Sequence, residues 1–416
     1  MAYSILQSPA DTSGVKFVGA LDDIIYVVND TTNTSELKYK YICTVTIGGI
    51  ERAKLKVSPN GVNAGIFNVA AIIRDYLDPA LTDGGDSIHK VMTEANTTMY
   101  KAVTLAFGYE YAASVDEQPT EYLNQASSTL YALRATFVPN YRSFDDKVVS
   151  DYVPSTTAKF LTSLPNEQYV TEDDWGVVAM ITDFSITQRA MYMRVRYYNE
   201  STLLSDSMLP FNQEWLGTSK FGYFGAYPEN LEAQVADADA KPSANAGWTY
   251  YTVEAKLSNL TSSTSMSQVY TFYNLQECKY DVYRLAWLNE YGGWDYLNFP
   301  KASERSVDVK REMYLKDSSN WMTAGTASNY ARQPWNLGEV AYGVESRDTL
   351  TLNSMFLDEA YNDAFKSLMQ SREVYVQQDN WLPVQVRSSQ FVYKTGLNGQ
   401  MVQFSISIQL RKNVVQ

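Results

Sequence analysis

Histidine is the commonest general acid–base and the commonest metal ligand, and this sequence has one, His89. It stands in Ser87-Ile88-His89-Lys90, shortly after Gly84-Gly85. No cysteine, serine motif or acidic partner lies at a useful spacing from it, so it reads as an ordinary loop or helix-start residue. Cys43 and Cys278 are far apart, each inside an apolar strand-like run. They lack zinc spacing and read as buried thiols in a reducing compartment. A nucleophile elbow, a P-loop, a dinucleotide fingerprint and an HExxH helix are all missing. The adjacent acidic pairs are Asp22-Asp23, Asp145-Asp146 and Asp173-Asp174. Strand neighbours point to opposite faces, so such pairs do not converge on one substrate as a glycosidase needs. They read as solvated turn residues. Asp237 and Asp239 match two ligands of a calcium loop, but the remaining ligands and the terminal Glu are absent. The expectation is a protein that is not an enzyme, with no cofactor and no metal.

One cluster has a second reading. Trp287, Tyr291, Trp294 and Tyr296 could stack a sugar or serve an interface, or they could pack a hairpin as cross-strand aromatic pairs. Hairpin packing is the favoured reading of the two. The same question attaches to the 32 tyrosines, 16 phenylalanines and 8 tryptophans. Tyr and Trp fit pleated, half-buried strands, and they are also enriched where proteins meet. Lys and Arg number 34 against 47 Asp and Glu, a net charge of −13. A phosphate backbone repels such a surface, so nucleic acid is not an expected partner. No window approaches the ~18 apolar residues of a membrane span, and the start has no basic, apolar leader. The chain is expected to be made in the cytosol and not exported by a standard route.

The elements that would hold these residues are mostly strands. Tyr39, Tyr41, Cys43, Val45 and Ile47 alternate, Gly48-Gly49 follows, and Ala53, Leu55 and Val57 alternate again, which predicts a β-hairpin. Asn68 predicts a helix cap, with Val69, Ile72, Ile73, Tyr76 and Leu77 as one apolar stripe and Pro79 as the stop. Val103, Leu105, Phe107 and Tyr109 share a strand face. Residues 230–247 are small and polar and read as a loop. Tyr280–Leu288 and Trp294–Phe299 flank Gly292-Gly293 as a second hairpin. A strand over Glu339–Leu352 leads to a helix near Met355–Met369. Strands follow at Val374–Gln377, Val384–Arg387 and Phe391–Lys394. Asn398-Gly399 predicts a type I′ turn, and Val402 to Leu410 alternate with period 2. The fold class is mainly β, with antiparallel β-sandwiches in several domains and a few short helices. The expected domains are an N-terminal sandwich at 1–113, an irregular connecting region at 114–165, a central sandwich at 166–310 and a C-terminal helix-plus-hairpin domain at 311–416.

Three phrases carry a family resemblance. They are Phe67-Asn68-Val69-Ala70-Ala71-Ile72-Ile73-Arg74-Asp75-Tyr76-Leu77, Arg284-Leu285-Ala286-Trp287-Leu288-Asn289 with Gly292-Gly293-Trp294-Asp295-Tyr296, and Phe391-Val392-Tyr393-Lys394-Thr395-Gly396-Leu397-Asn398-Gly399. With the domain grammar, they resemble virion structural proteins of tailed bacteriophages of Bacteroidetes-type hosts, crAss-like phages included. The resemblance implies a place in the virion, assembled in the host cytoplasm, with the tail or tail tip ahead of a head–tail connector or capsid-associated position. It implies oligomerisation with other copies and other virion proteins, through strand edges and aromatic interfaces. A phage adhesin that binds a host-surface glycan is the alternative of a different class.

Overall fold

The computed structural model describes residues 3–9, 17–78, 81, 93–94, 99–137, 151–181, 190–210, 221–259, 262–275, 279–315, 321–324, 327–330, 339–377, 380–388, 390, 392–393, 401–410 and 414–415. His89, Asp145-Asp146, Cys278 and the Asn398-Gly399 turn lie outside them. The fold is mainly β, in several sheets that are largely antiparallel. Phe17–Gly19 with Thr120–Leu133 and Glu167–Val170 with Tyr270–Asn274 are parallel pairs. The chain divides into two compact units. One is Met1–Glu277 with Ala286–Asn298 and Ala360–Arg372, and the other is Cys278–Leu285, Phe299–Glu359 and Glu373–Gln416.

The first unit opens with a β-sandwich. One sheet runs Phe17–Gly19, Thr120–Leu133, Tyr100–Ala112, Leu37–Ile47, Ile50–Val57, and the other Tyr3–Gln7, Ile25–Asp30, Ala64–Asn68. Alternation drives the packing. Tyr41, Cys43, Val45, Val103, Leu105 and Phe107 meet Tyr26, Val28 and Phe67 in one core. The Tyr26 and Ser128 hydroxyls hydrogen-bond at 3.1 Å inside it. Gly48 and Gly49 both take positive φ, +60° and +79°, and join Leu37–Ile47 to Ile50–Val57 as the paired glycines predict. The helix is shorter than its apolar stripe, at Ala70–Arg74. Its cap position is Val69, one residue later than expected, while the Asn68 Oδ1 accepts from the Ala70 N–H at 3.2 Å. Val69, Ile73 and Leu77 are buried.

Two expectations are corrected here. The stretch 114–165 is not irregular throughout, because Thr120–Leu133 is a strand of the sandwich, paired along Tyr100–Ala112. Its first half carries polar side chains on both faces, so no alternation announces it. Residues 230–247 are not simply a loop either. Helix Pro228–Gln234 and two short 3-10 turns, Ala238–Ala240 and Pro242–Asn245, occupy much of them. Pro228 supplies a preset φ at the helix start. Asn230 and Leu231 are fully buried, and the Asn230 Oδ1 accepts from the Gly176 N–H at 2.8 Å.

Further along the first unit, one sheet runs Glu167–Val170, Tyr270–Asn274, Tyr250–Asn259, Ala190–Asn199, Thr202–Pro210. Met193, Val195 and Tyr197 are buried with Tyr251, Val253 and Ala255, which pair with them in register. Arg194 faces the other way and grips Asp206, Nε to Oδ1 at 2.7 Å.

In the second unit the strand order is Val374–Gln377, Trp381–Val386, Val402–Gln409, Glu339–Leu357, Glu304–Leu315. The alternating tail behaves as predicted, with Phe404, Ile406 and Ile408 buried and Leu352 and Leu350 paired to Ile406 and Ile408. The strand before the helix is longer than expected, Glu339–Leu357, and the helix is Asn362–Gln370. That helix clusters with the first unit, not with the C-terminal strands. Val392 and Tyr393 are exposed and outside any strand, while Phe391 and Lys394 fall outside the described residues.

Candidate functional site

The aromatic cluster singled out in the sequence is core. Trp287, Tyr291, Trp294 and Tyr296 are 0%, 8%, 2% and 3% exposed. Stacking on a sugar needs an open ring face, and these rings offer none. Tyr296 instead meets Tyr227 edge-on at 5.2 Å, and Tyr291 lies against Tyr152 at 5.0 Å. All six residues of Trp294–Phe299 are buried, so the glycan-stacking reading is corrected to core packing, with ring partners that lie outside the hairpin.

The carboxylates are mostly structural. Asp174 is buried, correcting its reading as a solvated turn residue. It accepts from the Thr171 N–H at 2.9 Å, the Thr171 hydroxyl at 2.7 Å and the Asn298 amide at 2.5 Å. Asp23 accepts from the Asn68 amide at 2.7 Å. Asp237 caps the turn that holds Asp239, accepting its N–H at 3.2 Å. Among the described residues, no three His, Cys, Asp or Glu side chains come together as a metal site. A cavity of about 350 Å³ is lined by Glu172, Asp173, Glu229, Glu232, Ser243 and Trp248. Burial, and then the charges of Asp173 and Glu232, raise the pKa of Glu229 there. No lysine, arginine or histidine is among the described residues that line it, so it has the charge of an acidic cleft, and the Ser243 hydroxyl donates to the Glu232 carboxylate at 2.8 Å.

The exposed surface is more informative. Glu304–Leu315 is the last strand of its sheet, and among the described strands it pairs only with Glu339–Leu357. All but Glu312 of its 12 residues are exposed, so both faces of this ribbon lie open. Period-2 geometry puts Val307 and Val309 on one face with Val344 and the Arg305–Asp348 ion pair. Asp308 opposite Arg347 and Lys310 opposite Glu345 form the other face. Val307, Val309, Met313, Tyr314, Leu315 and Tyr342 are each between 47% and 78% exposed. A ribbon of this kind gains little from its own packing, and a long open edge is a template for another strand. This strand is not among the elements expected from the sequence. Its signal was the alternation of Val307 and Val309 with Asp308 and Lys310, which marks a strand but not an edge.

A second exposed feature accounts for some of the tyrosine surplus. Tyr39 stacks on Tyr109 at 5.8 Å, Tyr109 on Tyr122 at 5.1 Å and Tyr122 on Tyr111 at 5.1 Å. The row leads from buried Tyr39 to Tyr122, which is 36% exposed. It presents rigid, amphipathic rings of the kind that interfaces favour.

Among the described residues, no helix is long and apolar enough to cross a membrane. Compared with family models and with curated proteins, the chain matches none.

Proposed function

We propose that this chain is a non-catalytic structural subunit of a tailed-phage virion, assembled in the host cytoplasm and built into the tail or tail tip. The observation that carries the reading is the Glu304–Leu315 ribbon, open on both faces and along one edge. Apolar side chains held in the open on an edge strand are a liability for a chain that works alone and a docking element for one that assembles. The tyrosine row of the sandwich supports the same reading. So does the resemblance to virion proteins of phages of Bacteroidetes-type hosts, carried by the three sequence phrases. The adhesin reading loses its motive with the burial of Trp287 and Trp294.

The test is gradient sedimentation of the protein from its native source, with mass spectrometry across the fractions. Co-sedimentation with virus-sized particles and other virion proteins is the expected result, and immunogold labelling of those particles then separates tail from head–tail connector. Recovery only as a free monomer, with particles that lack it, overturns the proposal.

A further inference from the structure

We infer that the partner of the Glu304–Leu315 edge is the same strand of a second copy of this chain, added antiparallel about a two-fold axis at Val309. This rests on the assembly reading above and specifies its partner. A two-fold pair of antiparallel strands brings residues of the same face together. Centred on Val309, the register places Val309 on Val309 and sets Asp308 opposite Lys310 of the second copy, twice. Within one copy, Asp308 already lies opposite Arg347, and Lys310 opposite Glu345. The row across four strands therefore reads Arg347, Asp308, then Lys310 and Glu345 of the second copy, with the sign alternating at every step. Opposite charges directly across a ladder are favourable and like charges are not.

The neighbouring registers fail on the same criterion. Centring on Asp308 sets Asp308 on Asp308 and Glu304 on Glu312. Centring on Lys310 sets Lys310 on Lys310 and Asp308 on Glu312. Charges on an edge usually repel any added strand. Here they reject the two adjacent registers. A Val307 centre escapes repulsion, setting Glu304 opposite Lys310, but it leaves Asp308 facing Ser306, so the four-strand row of alternating charge forms only at Val309.

The experiment is analytical ultracentrifugation of the full chain and its charge variants, with far-UV circular dichroism and melting temperature as folding controls. The wild type is expected to dimerise. Asp308→Lys and Lys310→Asp should each weaken dimerisation about tenfold or more, since both copies of the pair become repulsive. The double variant should bind more tightly than either single, because across the two-fold axis each exchanged charge again meets its opposite, although Arg347 and Glu345 then face like charges within each copy. Register is read independently by cross-linking in a Cys278→Ser background. Val309→Cys should form an inter-chain disulfide, with Cα atoms ~5 Å apart in this register. Val307→Cys should not, because its two copies stand roughly 13 Å apart along the strands. A wild type that stays monomeric, a double variant as weak as the singles, or equal cross-linking at both positions overturns the inference. If the wild type is monomeric but still enters particles, the homotypic pairing falls and the assembly reading stands. If it dimerises but never enters particles, the assembly reading falls.

Discussion

The carboxylate of Asp295 accepts the backbone N–H of Ser163 at 2.8 Å, joining two parts of the first unit 132 residues apart in sequence. The Thr162 hydroxyl donates to the same group at 2.5 Å. Burial dominates the environment and raises the Asp295 pKa above the ordinary aspartate value, while these donors pull the other way. Removing the acceptor in Asp295→Ala leaves buried donors unsatisfied and is expected to cost ~2–4 kcal/mol in urea unfolding. The pH dependence has a definite sign. The folded pKa is above the unfolded one, so between the two the folded chain holds the extra proton. This group's stability contribution is therefore greatest at low pH and declines as pH rises above about 4. Asp295→Asn removes the titration, so the stability difference between wild type and variant should drift against the wild type over that rise. A difference that stays constant between pH 4 and pH 7 would contradict this account.

The hairpin that carries Asp295 is locked by a close approach. A Cβ on Gly293 would sit 2.2 Å from the Leu161 carbonyl oxygen. That oxygen is itself fixed by the Asn289 amide at 2.8 Å, and the Asn289 Oδ1 accepts from the Gly293 N–H at 2.9 Å. Backbone cannot move aside as a flexible side chain would. Gly293→Ala is expected to lose ~3 kcal/mol or more, with an unchanged urea m-value. A loss below about 1 kcal/mol would mean the turn relaxes freely.

These same residues show where the sequence was legible. Leu37–Val57 reads as a hairpin because Tyr39, Tyr41, Cys43, Val45 and Ile47 recur on the core face and Gly48-Gly49 turns the chain, even though Ile42 and Thr44 on the other face are buried too. Trp294–Phe299 is buried on both faces, so its pattern carries no contrast, and Asp295 and Asn298 look exposed until their partners are known. Those partners lie over 100 residues away, where spacing holds no information. Thr120–Leu133 fails for the opposite reason, with a half that is wet on both faces. The Glu304–Leu315 edge depends on which strand stops a sheet, which is a property of the whole topology. The helix Pro228–Gln234 hid because Asn230 is a buried polar residue in a segment that composition assigns to solvent.

Cys43 should be chemically silent in the folded chain. It is a fully buried thiol, and burial raises its pKa to about 12. The thiolate is the reactive form, so almost none is present at neutral pH. In a Cys278→Ser variant, a thiol-specific disulfide reagent should label the native protein only as fast as it opens. Labelling should become complete on addition of denaturant. Prompt labelling of the native variant would place Cys43 outside the sandwich core.

Tyr41 tests how the two sheets of that sandwich are joined by polar contacts inside an apolar core. Its hydroxyl donates to the Asn63 carbonyl at 2.5 Å and accepts the Asp30 N–H at 3.0 Å. Tyr39 donates to the Asp30 carboxylate at 3.1 Å, and its ring meets that of Tyr41 edge-on at 5.1 Å. Tyr41→Phe keeps the ring but strands a donor and an acceptor, for an expected ~1–3 kcal/mol. Tyr39→Phe should cost less, since Asp30 also accepts from the Thr32 N–H at 2.8 Å and the Asn33 amide at 2.9 Å. Because both hydroxyls converge on Asp30, the double variant should depart from the sum of the singles by ~0.5 kcal/mol or more. Simple additivity in the urea double-mutant cycle would mean that the two tyrosines act separately, and that Asp30 does not couple them.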